Sequence, residues 1–299
     1  MNLPSLGKKI LYFPLTRIII GIIVIISTYG FSQYYLDKIL MHSPLSTEVR
    51  ILVLVIVSSV LVVSVYILLF RFYEKRKILE FSTKGLAKNL TLGFLLGALL
   101  QSLTILVIYL KGGYSVVSVN PFHYVIPPIA MAFGSAIFEE TLFRGIIFRI
   151  TEEKLGSYMA LIISSAIFGA MHLGNPNSSL LTGIGIAIQA GLLLGAAYMY
   201  ARNLWMPIAL HFAWNFTQSA IFGANVSGNA LSKTLINSRI EGPEWLTGGQ
   251  FGPEGSVQAT LFCFIVAIIL IILSHKKGHV VKPFWKKSLS TGHKYNKIK

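Results

Sequence analysis

The chain has 299 residues, of which 54% are hydrophobic and only 12% are charged, and its mean hydropathy is +0.67. Soluble globular domains carry roughly 25% charged residues, so this composition excludes an ordinary soluble protein and indicates an integral membrane protein. The formal net charge of +15 raises the question of a nucleic-acid partner, which the distribution of the basic residues answers below.

Eight apolar windows follow one another along the chain. A helix needs about 20 apolar residues to cross the roughly 30 Å hydrocarbon core of a bilayer. Hydrocarbon offers no partners to backbone polar groups, so such spans must be helical. The sequence therefore predicts an all-α fold, a polytopic integral membrane bundle of about eight transmembrane helices in a single domain, residues 1–299. The predicted spans are 18–36, 49–70, 90–110, 123–148, 157–172, 180–201, 205–222 and 257–274.

The basic residues are divided unevenly between the two sides of the predicted bundle. Alternating the eight spans places 21 of the 26 Lys and Arg residues on the side of the two termini. The positive-inside rule then predicts that both termini are cytoplasmic, including a basic tail at 275–299. The net charge is thus explained by topology and by anionic lipid headgroups as partners, with no nucleic acid. The Ile-, Lys- and Asn-rich composition favours a bacterial cell membrane.

Glycines mark two features outside the charged residues. The longest stretch between predicted spans, 223–256, holds seven glycines and is predicted to be an external loop that could cap the bundle. Gly93 and Gly97 form a G-x-x-x-G pair in the third span, a spacing that permits close helix packing. Because glycine is common in membrane helices, the favoured interpretation of this pair is that it has no special packing role.

The fourth span contains two adjacent acids in the sequence FEETLFRG. A charge inside the membrane costs roughly 2.5–3.5 kcal/mol, so each acid needs an explanation. Glu140 lies four residues before Arg144, which predicts a supporting ion pair on one helix face. Glu139 has the apolar Phe143 at its own i+4 position and lacks a partner on its helix. This pattern is typical of a general base.

Two later spans supply further polar residues. His172 ends the fifth span, with Phe168 four residues earlier, and His211 and Asn215 share a face of the seventh. A single histidine or asparagine in a membrane helix is more often a packing hydrogen bond than a catalyst. A carboxylate, two imidazoles and a carboxamide together make a hydrolytic set, with a base for water and donors for an oxyanion.

Several other intramembrane chemistries lack the residues they require. The chain has one aspartate, Asp37, outside the spans, so a paired-aspartate protease is excluded. There is no H-E-x-x-H zinc motif and no G-x-S-x-G nucleophile elbow. A serine–histidine mechanism stays open through Ser135, Ser164 or Ser165, although nothing in their contexts marks an activated nucleophile.

Three motifs occur in order on these apolar helices: Glu139-Glu140-x-x-x-Arg144, Phe168-x-x-x-His172 and His211-x-x-x-Asn215. In this order they resemble the motifs of the CAAX protease and bacteriocin-processing family, also called the Abi family, of multi-pass intramembrane endopeptidases. The resemblance covers about 125–220 closely, within a motif-bearing core at about 123–222. It implies a CAAX prenyl protease-like hydrolase.

The resemblance also assigns roles. It implies that Glu139 and His172 activate water and that His211 and Asn215 stabilise the oxyanion. Supporting roles fall to the remaining motif residues, Glu140, Arg144 and Phe168. The implied mechanism needs no cofactor and no metal; a zinc-dependent variant, ranked below it, would use Glu139, His172 and His211 as ligands.

The implied substrate is a membrane-embedded or lipid-anchored protein or peptide, such as a prenylated CAAX end or a bacteriocin leader. Two other functions remain open. One is a non-proteolytic protein of the same fold, serving bacteriocin immunity or regulating a membrane protein. The other is a transporter or proton pathway built on Glu139 and the histidines.

The depths of the motifs conflict in a simple eight-span drawing. At about 1.5 Å per residue, His211 lies only about 9 Å past Trp205, whereas His172 lies some 20–25 Å from the start of its span. For the motifs to meet, the connection 203–207 must dip into the membrane or the seventh span must start deeper. We therefore expect a water-filled cavity inside the bundle, and we expect it to open toward the cytoplasm.

Overall fold

The computed structural model of the protein describes residues 6–231 and 233–286. Residues 287–299 of the predicted basic tail, 275–299, lie outside the described residues. The helices are α1 (Leu6–Leu11), α2 (Pro14–Met41), α3 (Thr47–Tyr73), α4 (Leu86–Leu110), α5 (Ile126–Glu140), α6 (Arg149–His172), α7 (Leu180–Ile186), α8 (Leu193–Ala201), α9 (Trp205–Phe216), α10 (Glu244–Thr247) and α11 (Val257–Lys276). Strands β1 (Tyr114–Val119) and β2 (Ile236–Ile240) form one antiparallel pair.

The described part of the chain has six helical stretches that are long and apolar enough to cross a membrane. One of them, Phe122–His172, has 51 residues and contains the predicted fourth and fifth spans. It is broken at Gly156, whose φ of 79° and ψ of 169° are not helical. The predicted seventh span corresponds to α9 and its π-helical extension, Thr217–Ile221. Together they are shorter than the about 20 residues that a membrane span needs. The predicted all-helical membrane bundle is confirmed.

The bundle has two distinct ends because consecutive spans run in opposite directions. The first, which we name the basic end, carries the start of α2, the end of α3, the start of α9 and the end of α11. The second, which we name the loop end, carries the segments 111–125, 173–179 and 222–256. The division predicted from the sequence between a basic and a less basic side follows these two ends.

An ion-pair network holds the basic end together. Glu74 accepts from Arg17 at 2.6 Å, from Arg76 at 2.7 Å and from Arg149 at 2.9 Å. Burial alone would raise the pKa of Glu74, but attraction and hydrogen bonds from Arg149, together with those from the other two arginines, outweigh it and lower the pKa. We name this cluster the basic-end network; its members are Arg17, Glu74, Arg76, Glu80, Arg149 and Glu153.

The two glycines of the predicted third span bring α4 into backbone contact with α9. A Cβ at Gly93 would lie 2.3 Å from the carbonyl oxygen of Met206, and a Cβ at Gly97 would lie 2.3 Å from that of Leu210. Both distances are far below any real carbon–oxygen contact. The pair therefore serves helix packing, and the interpretation that the sequence favoured is wrong.

The glycine-rich segment 223–256 is packed tightly against the loop end. Gly228 has a φ of 80°, and a Cβ there would lie 1.8 Å from the carbonyl oxygen of Pro176. Lys233 forms an ion pair of 2.6 Å with Glu48 at the start of α3. Within the segment, β2 pairs with β1, which leads into α5. The predicted cap is thus present as a built part of the fold.

Candidate active site

One cavity of about 370 Å³ receives all four residues predicted to be catalytic. Glu139 comes from α5, His172 from the end of α6, and His211 and Asn215 from α9. Helical spacing explains the pair on α9, because residues four apart lie on one face. The remaining wall includes residues 226–231 of the cap segment. The structure therefore brings the three motifs together around a shared hollow.

The Glu140–Arg144 ion pair forms as the spacing predicts and is fully buried. Their atoms Oε1 and Nη1 are 2.8 Å apart, with side-chain exposures of 0% and 1%. Arg144 Nη2 also donates to the backbone carbonyls of Ala190 and, at 3.1 Å, Gly191. Arg144 lies in a π-helical stretch, Thr141–Phe148, a form of helix that often occurs at functional sites. The pair ties this stretch to the neighbouring one, Ala187–Leu192.

Glu139 differs from its neighbour in how its oxygens are satisfied. It is half-buried, and its Oε2 is shielded from solvent without a hydrogen-bond partner among the described residues. Arg144 and His211 are near enough to interact with it electrostatically. A carboxylate with an unused oxygen in a cavity can accept a proton from water, which is the property expected of a general base.

The backbone of α6 fixes His172. Its Nδ1 lies 2.8 Å from the carbonyl oxygen of Phe168. A carbonyl only accepts, so Nδ1 carries the proton and Nε2 of the neutral ring keeps its lone pair. The imidazole stacks on the Phe168 ring at 4.5 Å, and the Arg144 guanidinium lies 4.9 Å from the same ring. Phe168 thus separates the buried ion pair from His172 and orients the histidine.

A hydrogen bond that the sequence did not reveal joins the first and third motifs. His211 Nδ1 lies 3.0 Å from Glu140 Oε1, the same oxygen that pairs with Arg144. The carboxylate only accepts, so Nδ1–H donates; for Nε2 to donate as well, the ring must be an imidazolium. A hint of this bond is present in the sequence, because the Glu140 carboxylate has only one partner on its own helix and can accept further hydrogen bonds. Asn215 Nδ2 donates to Ser135 Oγ at 3.1 Å.

The connection before α9 is buried, as the depth conflict required. Asn203 is 5% exposed and Leu204 is fully buried. The backbone N–H of Leu204 donates to the carbonyl of Glu80 at 2.8 Å, and Trp205 Nε1 donates to the carbonyl of Ser82 at 3.1 Å. The segment between α3 and α4 therefore covers this connection. This places the start of α9 inside the bundle and brings His211 to the depth of the other motifs.

The position of the cavity bears on its predicted opening. His172 ends its helix at the loop end, and the outer wall of the cavity comes from the cap segment, where Asn229 is exposed. The basic-end network lies at the opposite end of the same helices. The cavity therefore lies toward the loop end of the bundle, and both the cytoplasmic termini and the cytoplasmic opening stay predictions. Of these two predictions, the positive-inside distribution supports the first.

Sequence reasoning missed one buried acid near the site. Glu254 belongs to the cap segment and is 3% exposed. Its carboxylate accepts the Ser227 backbone N–H and, at 3.3 Å, Trp214 Nε1–H. Burial raises the pKa of Glu254, against the lowering effect of these donors. Glu254 lies outside the predicted spans, and the surrounding GPEG has no periodicity that would predict its position.

The described residues contain no group of three or more His, Cys, Asp or Glu side chains positioned to hold a metal ion. Glu139, His172 and His211, which would be the ligands of a zinc-dependent variant, share the cavity but do not form such a group. The metal-independent mechanism stays a prediction, and a chelation experiment tests it.

Comparison with known proteins identifies relatives of the motif-bearing core. Residues 121–217 match the family model described as type II CAAX prenyl endopeptidase Rce1-like. A protein of Bacillus subtilis (strain 168) named "Putative membrane peptidase YdiL" is 37% identical over 81 residues, which cover 26% of this chain and 30% of that relative. No solved structure matches the chain. The match of residues 121–217 confirms the resemblance predicted from the three motifs, and both matches support a membrane peptidase.

Proposed function

We infer, from the match of residues 121–217 to type II CAAX prenyl endopeptidases and from the geometry of the site, that the protein is an intramembrane endopeptidase. One observation carries this proposal. Glu139, with an unpartnered oxygen, lines the same cavity as His172, whose Nε2 keeps a lone pair, and as the donors His211 and Asn215. Binding or packing alone requires no such combination of groups.

The reaction is a direct attack of water on a peptide carbonyl. Glu139 takes a proton from the water as the oxygen attacks, and His172 Nε2 accepts its other hydrogen bond and orients it. The oxyanion receives hydrogen bonds from Asn215 Nδ2 and from Nε2–H of an imidazolium at His211, which Glu140 stabilises. As the tetrahedral intermediate collapses, the proton moves from Glu139 to the leaving amine. No covalent enzyme intermediate forms.

The substrate is a peptide segment of a membrane-embedded or lipid-anchored protein. A cavity of about 370 Å³ holds a short stretch of extended chain around the scissile bond. Because its outer wall belongs to the cap segment, the bond is cut near the membrane surface at the loop end. Prenylated CAAX ends and leader peptides are both substrates of this chemical kind.

The test is cleavage of membrane proteins by the full chain reconstituted in lipid vesicles. New peptide ends are identified by mass spectrometry with the wild type and with Glu139→Ala and His172→Ala at equal abundance. The control is Glu241→Ala, because this exposed acid at the loop end pairs only with the exposed Arg239 in the described structure. We expect cleavage to be lost in both site variants and kept in the control. If either site variant cleaved as fast as the wild type, the proposal would be wrong.

A further inference from the structure

A second, smaller pocket adjoins the active-site cavity. Its volume is about 40 Å³, and it shares His172, His211, Asn215 and Ser227 with the larger cavity. A buried water needs roughly 10–15 Å³ of such space, so the pocket has room for a few water molecules. Because these residues are shared, one wall of the pocket is formed by residues of the proposed catalytic centre.

Gln189 gives the pocket an unused acceptor. Its side chain is 4% exposed, and its Oε1 is buried without a hydrogen-bond partner among the described residues. Its Nε2 donates to the Glu254 carbonyl and to Thr260 Oγ1, both at 2.7 Å, which fixes the amide. A buried acceptor left without a partner carries a free-energy cost, because it has lost the hydrogen bonds that water makes with it in the unfolded chain. A water molecule in the pocket would remove this cost.

The remaining lining supplies both polar partners and a barrier. Glu254 and Asn215 offer an acceptor and a donor, so a water here would have the two to four partners that buried waters require. Leu193, Leu194 and Cys263 close the pocket with apolar surface. This lining separates the pocket from lipid, while its polar residues lie beside the site.

We propose that this pocket is a hydration site that delivers the attacking water to Glu139 and His172. The inference rests on the proposed hydrolytic function, because hydrolysis consumes one water per bond and lipid surrounds the helices that hold the site. Gln189 is then a positioning residue, which acts through the water it binds. Glu254 holds Gln189 through its carbonyl and the cap segment through its carboxylate.

The first test needs no substrate. Hydroxyl radicals generated by X-ray pulses oxidise side chains beside bound water, so the full chain in lipid nanodiscs is labelled in this way. Cys263 lines the pocket and Met199 does not, although both are 0% exposed. With each rate normalised to that of the unfolded chain, we expect Cys263 to be labelled at least several-fold more than Met199. Equal protection of the two residues would show a dry pocket and overturn the proposal.

The second test is kinetic. Gln189→Leu keeps the volume but removes the acceptor together with the two hydrogen bonds from Nε2, and we expect kcat about 10-fold lower, KM unchanged and Cys263 labelling reduced. The matched control is Gln101→Leu, because Gln101 is also fully buried with unsatisfied amide atoms in the described structure but lies outside both pockets. A folded Gln189→Leu protein with wild-type kcat would refute the hydration site. If Glu139→Ala is inactive in the same assay, the proposed function is supported whatever the result for Gln189→Leu.

Discussion

The protein buries two clusters of charge, and they differ in how completely the charges are paired. In the basic-end network, Glu74 contacts three arginines and Glu80 contacts two. In the central site, Glu139 and Glu140 each have one oxygen without a partner among the described residues. Both clusters contain acids with buried side chains, Glu74 and Glu80 in the first and Glu140 in the second, so burial alone does not distinguish them. The difference fits a structural role for the first cluster and the proposed catalytic role for the second.

This comparison has a physical basis. Buried charge is costly unless it is paired and hydrogen-bonded, so a purely structural cluster gains by satisfying every oxygen. A catalytic carboxylate needs an oxygen that stays available for water. Within the site, one oxygen of Glu140 accepts hydrogen bonds from both Arg144 and His211, and it thereby links the first motif to the third. In the proposed mechanism, an oxygen of Glu139 therefore stays available to accept a proton from water.

Breaking the buried pair of the site should have the largest effect. Arg144→Leu leaves Glu140 without its cation, and we expect the free energy of unfolding to fall by about 3–5 kcal/mol. We also expect cleavage to be lost, because Arg144 would no longer hold in place the Glu140 carboxylate that accepts from His211. Denaturant titration in detergent and the vesicle cleavage assay measure the two effects. Unchanged stability would show that the ion pair does not support the site.

Removing an oxyanion donor should affect chemistry with little effect on stability. We expect Asn215→Ala to lower kcat by about 10²–10³-fold with KM nearly unchanged. Asn237→Ala is the control, since this exposed side chain on β2 bonds to Ser118 at 3.0 Å, away from the cavity. A change in KM alone would assign Asn215 to substrate binding instead.

Weakening the basic-end network should have the reverse signature. We expect Glu74→Gln to lower the free energy of unfolding by about 1.5–3 kcal/mol and to leave kcat within twofold of wild type. Because the folded-state pKa of Glu74 is lowered, its contribution is present above the ordinary value of 4.5 and is lost as pH falls through the folded-state pKa. The variant should therefore lose less stability on acidification. Unfolding curves at several pH values measure this, and a large loss of kcat would contradict the division between the two clusters.

Metal removal should have no effect on the site. We expect dialysis against EDTA or 1,10-phenanthroline to leave the cleavage rate unchanged, because the proposed mechanism activates water with Glu139 and His172 alone. The rate before and after dialysis, and after added Zn²⁺, is the measurement. Loss on chelation and recovery with Zn²⁺ would favour the metal-dependent alternative.

The sequence predicted the parts of the molecule that follow helical periodicity. The spans emerge from apolar length, and the Glu140–Arg144 pair and the shared face of His211 and Asn215 follow from i,i+4 spacing. Periodicity also marked Glu139 as lacking a partner on its own helix. These features are local, so the chain itself carries the information.

Features that depend on contacts between distant segments could not be predicted in this way. The bond between Glu140 and His211 joins residues 71 positions apart. Glu254 and Gln189 meet 65 positions apart, one in a segment with no periodicity. The break at Gly156 depends on its contact with residues 281–283 beyond the last span. Helical periodicity also could not show which helix ends surround the cavity, because that depends on how the spans pack against one another.

The contact between α4 and α9 has a consequence for engineering. Gly93 and Gly97 allow the helix that carries His211 and Asn215 to lie directly against the backbone of α4, so the lateral position of both proposed donors depends on these two glycines. A single added carbon on α4 would displace both donors together. Activity can therefore be tuned from a remote helix, without altering any residue that the substrate meets.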